Sequence, residues 1–148
     1  MAIARGAGTE IIRSIQLDTV DGTARNVIYG VQHHIYTVLS IMCFARVLAT
    51  EGNYLQFMFT GYDSTLGASG QDIRLLKHSM SSLETFVWND KFSFNGYEPV
   101  DFAGEVDSEA KQDALADQGS SVRQSLAVVA NAGDTIDVFC TYIDQNNA

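Results

Sequence analysis

The stretch HHIYTVLSIMCF, residues 33–44, decides the fold. It is dense in β-branched and aromatic residues, the composition of a strand that packs on a pleated surface. From Ile35 to Leu48 both alternating sets are apolar: Ile35, Leu39, Ile41, Cys43, Ala45 and Val47 on one side, Tyr36, Val38, Met42, Phe44 and Leu48 on the other. An antiparallel strand with one wet face would alternate apolar with polar, so this one is expected to be covered on both faces. The second cover would be a loop, an arm or a neighbouring subunit, and Tyr36, Val38, Met42 and Phe44 are the candidate subunit-interface residues.

Outward from this strand the chain breaks at Gly30 and at Glu51-Gly52-Asn53. The run YLQFMFTGYD (54–63) alternates Leu55, Phe57 and Phe59 against Gln56, Met58 and Thr60, which predicts a hairpin with the preceding strand about Gly52-Asn53. STLGASG reads as a Gly/Ser loop and QDIRLLKHSM as a shorter strand. LETFVWNDKFSFNG predicts a hairpin about Asn89-Asp90, with Phe86, Trp88, Phe92 and Phe94 in the core. At the C-terminal end, SLAVVANAGDTIDVFCTYIDQ predicts another hairpin about residues 131–134, with Ile136, Val138, Cys140 and Tyr142 on one face.

Before the central strand, EIIRSIQLDT is a half-buried strand with Ile11, Arg13, Ile15 and Leu17 on one face, followed by an Asp-Gly turn. Residues 1–9, small and Gly-containing, read as a flexible or partner-bound arm in which Ile3 and Arg5 are the candidate assembly contacts; residues 10–148 form one domain. Residues 106–118 are the helix candidate, with Asp107 or Ser108 as cap. The expected fold is an all-β antiparallel sandwich, jelly-roll-like, of about eight strands and one short helical insertion.

Composition narrows the function. At 148 residues and 46% hydrophobic the chain can bury one sizeable core. Its net charge is −9, with only nine Lys plus Arg scattered along it, so no basic stripe faces a phosphate backbone and direct nucleic-acid binding is not expected. The first ten residues lack the apolar core of a signal peptide, and the apolar run 35–48 is too short for a bilayer, which predicts a chain that stays in the cytosol or leaves it by lysis, with no membrane association. Cys43 and Cys140 lie in strand-patterned runs and are expected as buried, reduced thiols.

No chemistry is expected. His33 and His34 are adjacent and would point to opposite strand faces, so a metal site would require the fold to unite one of them with His78 and a carboxylate such as Asp63 or Asp72. Asp18, Asp21, Asp107 and Glu109 are better explained by turns and caps than by calcium. There is no nucleophile elbow, phosphate-cradling loop or dinucleotide fingerprint, and the expectation is a non-enzyme without cofactors. A ligand loop at Trp88, Asn89 and Asp90 is the feature that would suit a carbohydrate-binding sandwich.

The arm MAIARGAGTE, the doubly apolar strand HHIYTVLSIMCF, the aromatic segment ETFVWNDKFSFNG and the closing segment LAVVANAGDTIDVFCTYIDQN together resemble small β-sandwich virion proteins of tailed bacteriophages, of the capsid decoration or cement type. The resemblance spans most of the chain and implies a jelly-roll-like subunit, a trimer or ring, that binds a major capsid protein or other virion protein and bridges neighbouring capsomers. It implies residence in the virion. A tail or baseplate adaptor, a receptor-binding module and a cellular carbohydrate-binding or interaction sandwich are the alternatives.

Overall fold

The computed structural model describes residues 9–63, 68–98, 105, 107–111 and 122–146. Nine strands run through them: β1 (Thr9–Val20), β2 (Arg25–Tyr29), β3 (His34–Val47), β4 (Tyr54–Asp63), β5 (Ala68–Ser79), β6 (Thr85–Trp88), β7 (Phe92–Asn95), β8 (Ser125–Val129) and β9 (Thr135–Asn146). One sheet has the order β1-β9-β3-β6, with β7 also paired to β3; the other has the order β2-β8-β4-β5. Every pairing is antiparallel, and the two sheets pack face to face as an all-β sandwich.

The core lies between the sheets. Leu17, Val20, Ile41, Cys43, Ile136, Val138 and Cys140 come from the first sheet; Val27, Ile28, Leu55, Phe57, Leu126 and Val128 come from the second. Full burial of a side chain the size of Ile41 or Phe57 contributes about 1.5–3 kcal/mol, so these contacts hold the layers together.

The central strand β3 is not covered on both faces within the subunit. Val38 pairs with Tyr142 and Ser40 with Thr141, so Leu39 is an extra residue, a β-bulge. A one-residue insertion exchanges the two faces of a strand. Before the bulge the even residues Tyr36 and Val38 point inward, at 3% and 0% exposure; after it the odd residues Ile41, Cys43 and Ala45 do. Both alternating sets read as apolar because each supplies the core over half the strand. Met42 and Phe44, in the outward phase, are 40% and 36% exposed.

Three expected hairpins are absent, two of them because the chain crosses between sheets and the third because both of its strands pair with β3. β3 and β4 lie in opposite sheets, and so do β8 and β9, so residues 48–53 and 130–134 cross between layers instead of reversing a strand beside itself. Backbone bonds from Gly52 N to Met80 O and from Met80 N to Asn53 O close the first crossing. β6 and β7 do not pair with each other; both pair with β3, at residues 41–44 and 35–38. They form one edge strand interrupted at Asn89–Lys91 opposite the Leu39 bulge. Phe86, Trp88, Phe92 and Phe94 share one parity, which an interrupted strand keeps on one face and a two-residue turn would have split between two. All four pack on the core.

β4 and β5 are consecutive and pair within one sheet, and β5 begins at Ala68, inside the stretch expected as a loop. Residues 1–8 of the expected arm and most of the expected helix lie outside the described residues; Thr9 opens β1. Within 107–111 the Lys111 amide donates to Ser108 Oγ, the expected cap. The backbones of Gly30 and Gly96 sit in close contacts that exclude a side chain. A Cβ on Gly96 would lie 2.0 Å from Val31 O, and one on Gly30 2.1 Å from Gly96 O.

Candidate assembly surface

The outer face of the β1-β9-β3-β6 sheet is where the outward phase of β3 emerges. The register places Gln16, Phe139, Met42 and Val87 in one row across four strands, with Asp137, Phe44 and Thr85 in the next. Val87 and the two β3 side chains are exposed and Phe139 is half-buried. Beside Val87 lies a shallow depression of about 200 Å³ lined by Gln16, Met42, Phe44, Thr85, Asp137 and Phe139. An apolar centre with a polar rim is the pattern of a binding surface. On its rim Arg46 Nη2 donates to Asp137 Oδ1 at 3.0 Å.

Of the four expected interface residues, the structure brings only Met42 and Phe44 to this face. Tyr36 and Val38 belong to the subunit's own core, on the other side of the bulge, and offer nothing to a partner. Ile3 and Arg5 lie outside the described residues. Phe139 and Val87 were missed as surface residues; the local signal was their parity, opposite to the core sets Ile136, Val138 and Cys140 and Phe86 and Trp88.

The expected ligand loop is differently arranged. Asn89 and Asp90 are exposed, but Trp88 is half-buried and faces inward with Ile41, Phe57, Leu76, Phe92 and Leu126 around a small apolar cavity of about 10 Å³. Its indole N–H donates to the Asp90 carbonyl at 2.8 Å, so this side chain closes the edge of the core.

A polar cluster joins β1, β9 and β3 at one end. Asp144 on β9 is buried and accepts from Arg13 Nε of β1 at 2.8 Å through Oδ2, while His34 Nδ1 of β3 lies 2.5 Å from its Oδ1. The Tyr36 hydroxyl accepts from Val31 N at 3.1 Å; burial, and then the negative charge of Asp144, push its pKa up to about 12. Burial raises Tyr142 beside it. His78 bonds to Glu84 at 3.0 Å and stacks on Phe86, and that bond lowers the Glu84 pKa.

The histidines are thus separated. His34 turns to Asp144, His78 to Glu84, and His33 occupies a left-handed turn position at φ 72°. Among the described residues no group of three or more His, Cys, Asp and Glu is placed to hold a metal ion. Asp21 accepts from Thr23 N and Asp107 from Lys111 Nζ, the turn and helix-start roles expected of them. Cys43 and Cys140 are free, buried thiols; burial pushes each to about 12, with Cys140 adding to the effect on Cys43. Among the described residues no helix is long and apolar enough to cross a membrane.

Comparison of the sequence with protein-family models finds no match, and comparison with curated proteins finds none. Three-dimensional comparison finds distant likenesses. A protein of Bacillus endospore appendages, described as a family of disulfide-linked pili, is 13% identical, with a TM-score of 0.45 over 100% of this chain and 97% of the other. A chain of the infectious bursal disease virus T13 particle is 6% identical, with a TM-score of 0.41; the match covers 96% of this chain and 36% of that one. The corresponding T=1 particle gives 6% identity and a TM-score of 0.40 over 99% and 38%. This chain therefore spans little more than a third of the viral chains it is similar to.

Proposed function

We propose that this protein is a structural virion component of the capsid decoration type, which docks on the outer capsid surface through the outer face of its β1-β9-β3-β6 sheet and helps to bridge neighbouring capsomers. The observation that carries the reading is the cross-strand group Met42, Phe44, Val87 and Phe139, apolar and solvent-facing in a sandwich whose core is already complete without it. Such a group contributes to association by leaving water, and its Gln16, Thr85 and Asp137 rim sets orientation more than strength. Repetition over a capsid lattice would add weak contacts into firm attachment. When β6 and β7 count as one edge strand, the chain passes from one sheet to the other at every connection except β4–β5, a path that supports the jelly-roll-like reading. Virion residence follows from the same reading.

The experiment is co-sedimentation of the purified protein with emptied capsids of the phage that carries its gene, beside a Met42→Glu/Phe44→Glu variant. Both substituted side chains are solvent-facing, so the variant should fold as the parent does and bind at least tenfold more weakly, the effect of desolvating charge at a contact centre. Equal binding by the variant, or none by the parent, contradicts the proposal. Sedimentation with isolated tails and not with capsids would place the same face on a tail adaptor.

A further inference from the structure

Among the described residues the sandwich has four edges with no neighbouring strand: β1 and the β6/β7 strand in one sheet, β2 and β5 in the other. An open edge presents unpaired N–H and C=O groups to any extended chain, and natural sheets blunt such edges with bulges, breaks, short strands and charge. Three of these edges are blunted. β2 has five residues and a register shift between Asn26 and Ile28. The β6/β7 edge is broken at Asn89–Lys91. β5 has register shifts along its length and carries Asp72, Arg74 and Lys77.

β1 is different. It pairs with β9 without interruption from Thr9 to Leu17, and its bulge comes only after that, between Leu17 and Val20. There is no proline, and the charges over 9–17 are one Glu10 and one Arg13, neutral in sum on a chain of net charge −9. Ile11 and Ile12 are 46% and 69% exposed on opposite faces of the same edge.

We infer that β1 pairs with β1 of a second copy of this chain, antiparallel, to form a two-fold dimer with one sheet continuous through both subunits. The occupant follows from the edge inventory: among the described residues β1 is the one edge of a second copy that is also unprotected, and its local neutrality removes the repulsion that the acidic chain imposes elsewhere. A two-fold axis normal to the sheet sets residues of equal parity against each other. Centred on Ile12, it puts Ile12 against Ile12 on the outer face, Ile11 against Arg13 on the inner face, and Glu10 against Ser14. The most exposed apolar side chain of the strand is then covered by its own counterpart, and no like charges stand directly opposite. The product is a dimer in place of the trimer or ring that the family resemblance implies. This contact is separate from the docking face, since Met42 and Phe44 stay open in the dimer.

The test is the solution mass of the parent, Ile12→Lys and Ile12→Cys by light scattering at micromolar concentration, with thermal unfolding as the check on folding. The parent should have twice the chain mass. Ile12→Lys, a change at an exposed position, should halve that mass and keep a cooperative transition. Ile12→Cys should yield a covalent dimer under mild oxidation, since directly opposed Cβ atoms lie near the span of a disulfide; Ile73→Cys, at the β5 edge, should not. The native Cys43 and Cys140 are buried and do not compete. A monomeric parent, a dimer that survives Ile12→Lys, or an Ile12→Cys protein that stays uncrosslinked overturns the inference. None of these results bears on capsid sedimentation, which reads the Met42 and Phe44 face by itself.

Discussion

Asp134 is 2% exposed and accepts from Ala49 N at 2.8 Å and Asn53 Nδ2 at 3.0 Å through one oxygen, and from Asn131 N at 3.2 Å through the other. It thereby ties the 131–134 crossing to the 48–53 crossing. Asp134→Ala leaves three donors without their acceptor and should cost about 3 kcal/mol of unfolding free energy, measured by urea titration. The sequence marked Asp134 as a turn residue; its tie to a segment more than 80 positions away depends on topology and is invisible in a local pattern. The thiols of Cys43 and Cys140 were legible, because two cysteines inside apolar strands are buried wherever the strands go. Native protein at pH 8 should resist alkylation and take up two labels in denaturant. In the unfolded chain these thiols titrate near about 8.5, whereas in the fold they stay protonated up to about 12. The unfolded state loses protons first, so their contribution is complete below the unfolded value and falls as pH rises through that window. Stability should decline from about pH 9 upward for this reason, and a flat profile there would contradict the burial.

The bulge at Leu39 governs what the central element presents to its surroundings. Val38 and Met42 have the same parity, and on a regular strand they would share a face; the bulge puts Val38 in the core and Met42 in solvent. Val38→Asp should therefore abolish cooperative unfolding, since a carboxylate with no partner in the core costs more than about 4 kcal/mol, while Met42→Asp should change stability by about 0.5 kcal/mol or less. Circular dichroism on the pair reads the bulge directly. Strand positions were legible in the sequence from period-two patterning and the breaks at Gly30, Gly52-Asn53 and the Asp-Gly turn. Pairing was not, because a short connection between two apolar strands looks alike whether it turns within a sheet or crosses to the facing one. The aromatic parity over residues 86–94 did hold the answer for one case, an interrupted edge strand. The candidate site suffered from the same ambiguity: Met42 and Phe44 were named for being apolar in a doubly apolar strand, and Tyr36 and Val38 came with them because no local feature marks where the phase reverses.

At the scale of the whole molecule the two sheets differ in what they leave open. The β1-β9-β3-β6 sheet carries both an apolar outer face and, among the described residues, the one unblunted edge, so docking and pairing surfaces lie on one layer while the β2-β8-β4-β5 layer shows bulged and charged edges. A dimer built through β1 would align two docking faces side by side, and two-point attachment strengthens binding without any new contact. The central claim is that the outer face of this layer meets the capsid. Hydrogen–deuterium exchange of the protein free and bound to emptied capsids tests it most directly. The account predicts slowed exchange over residues 40–47, 85–88 and 137–141 on binding; unchanged exchange there, with protection gathered instead around Asn89 and Asp90, would contradict it.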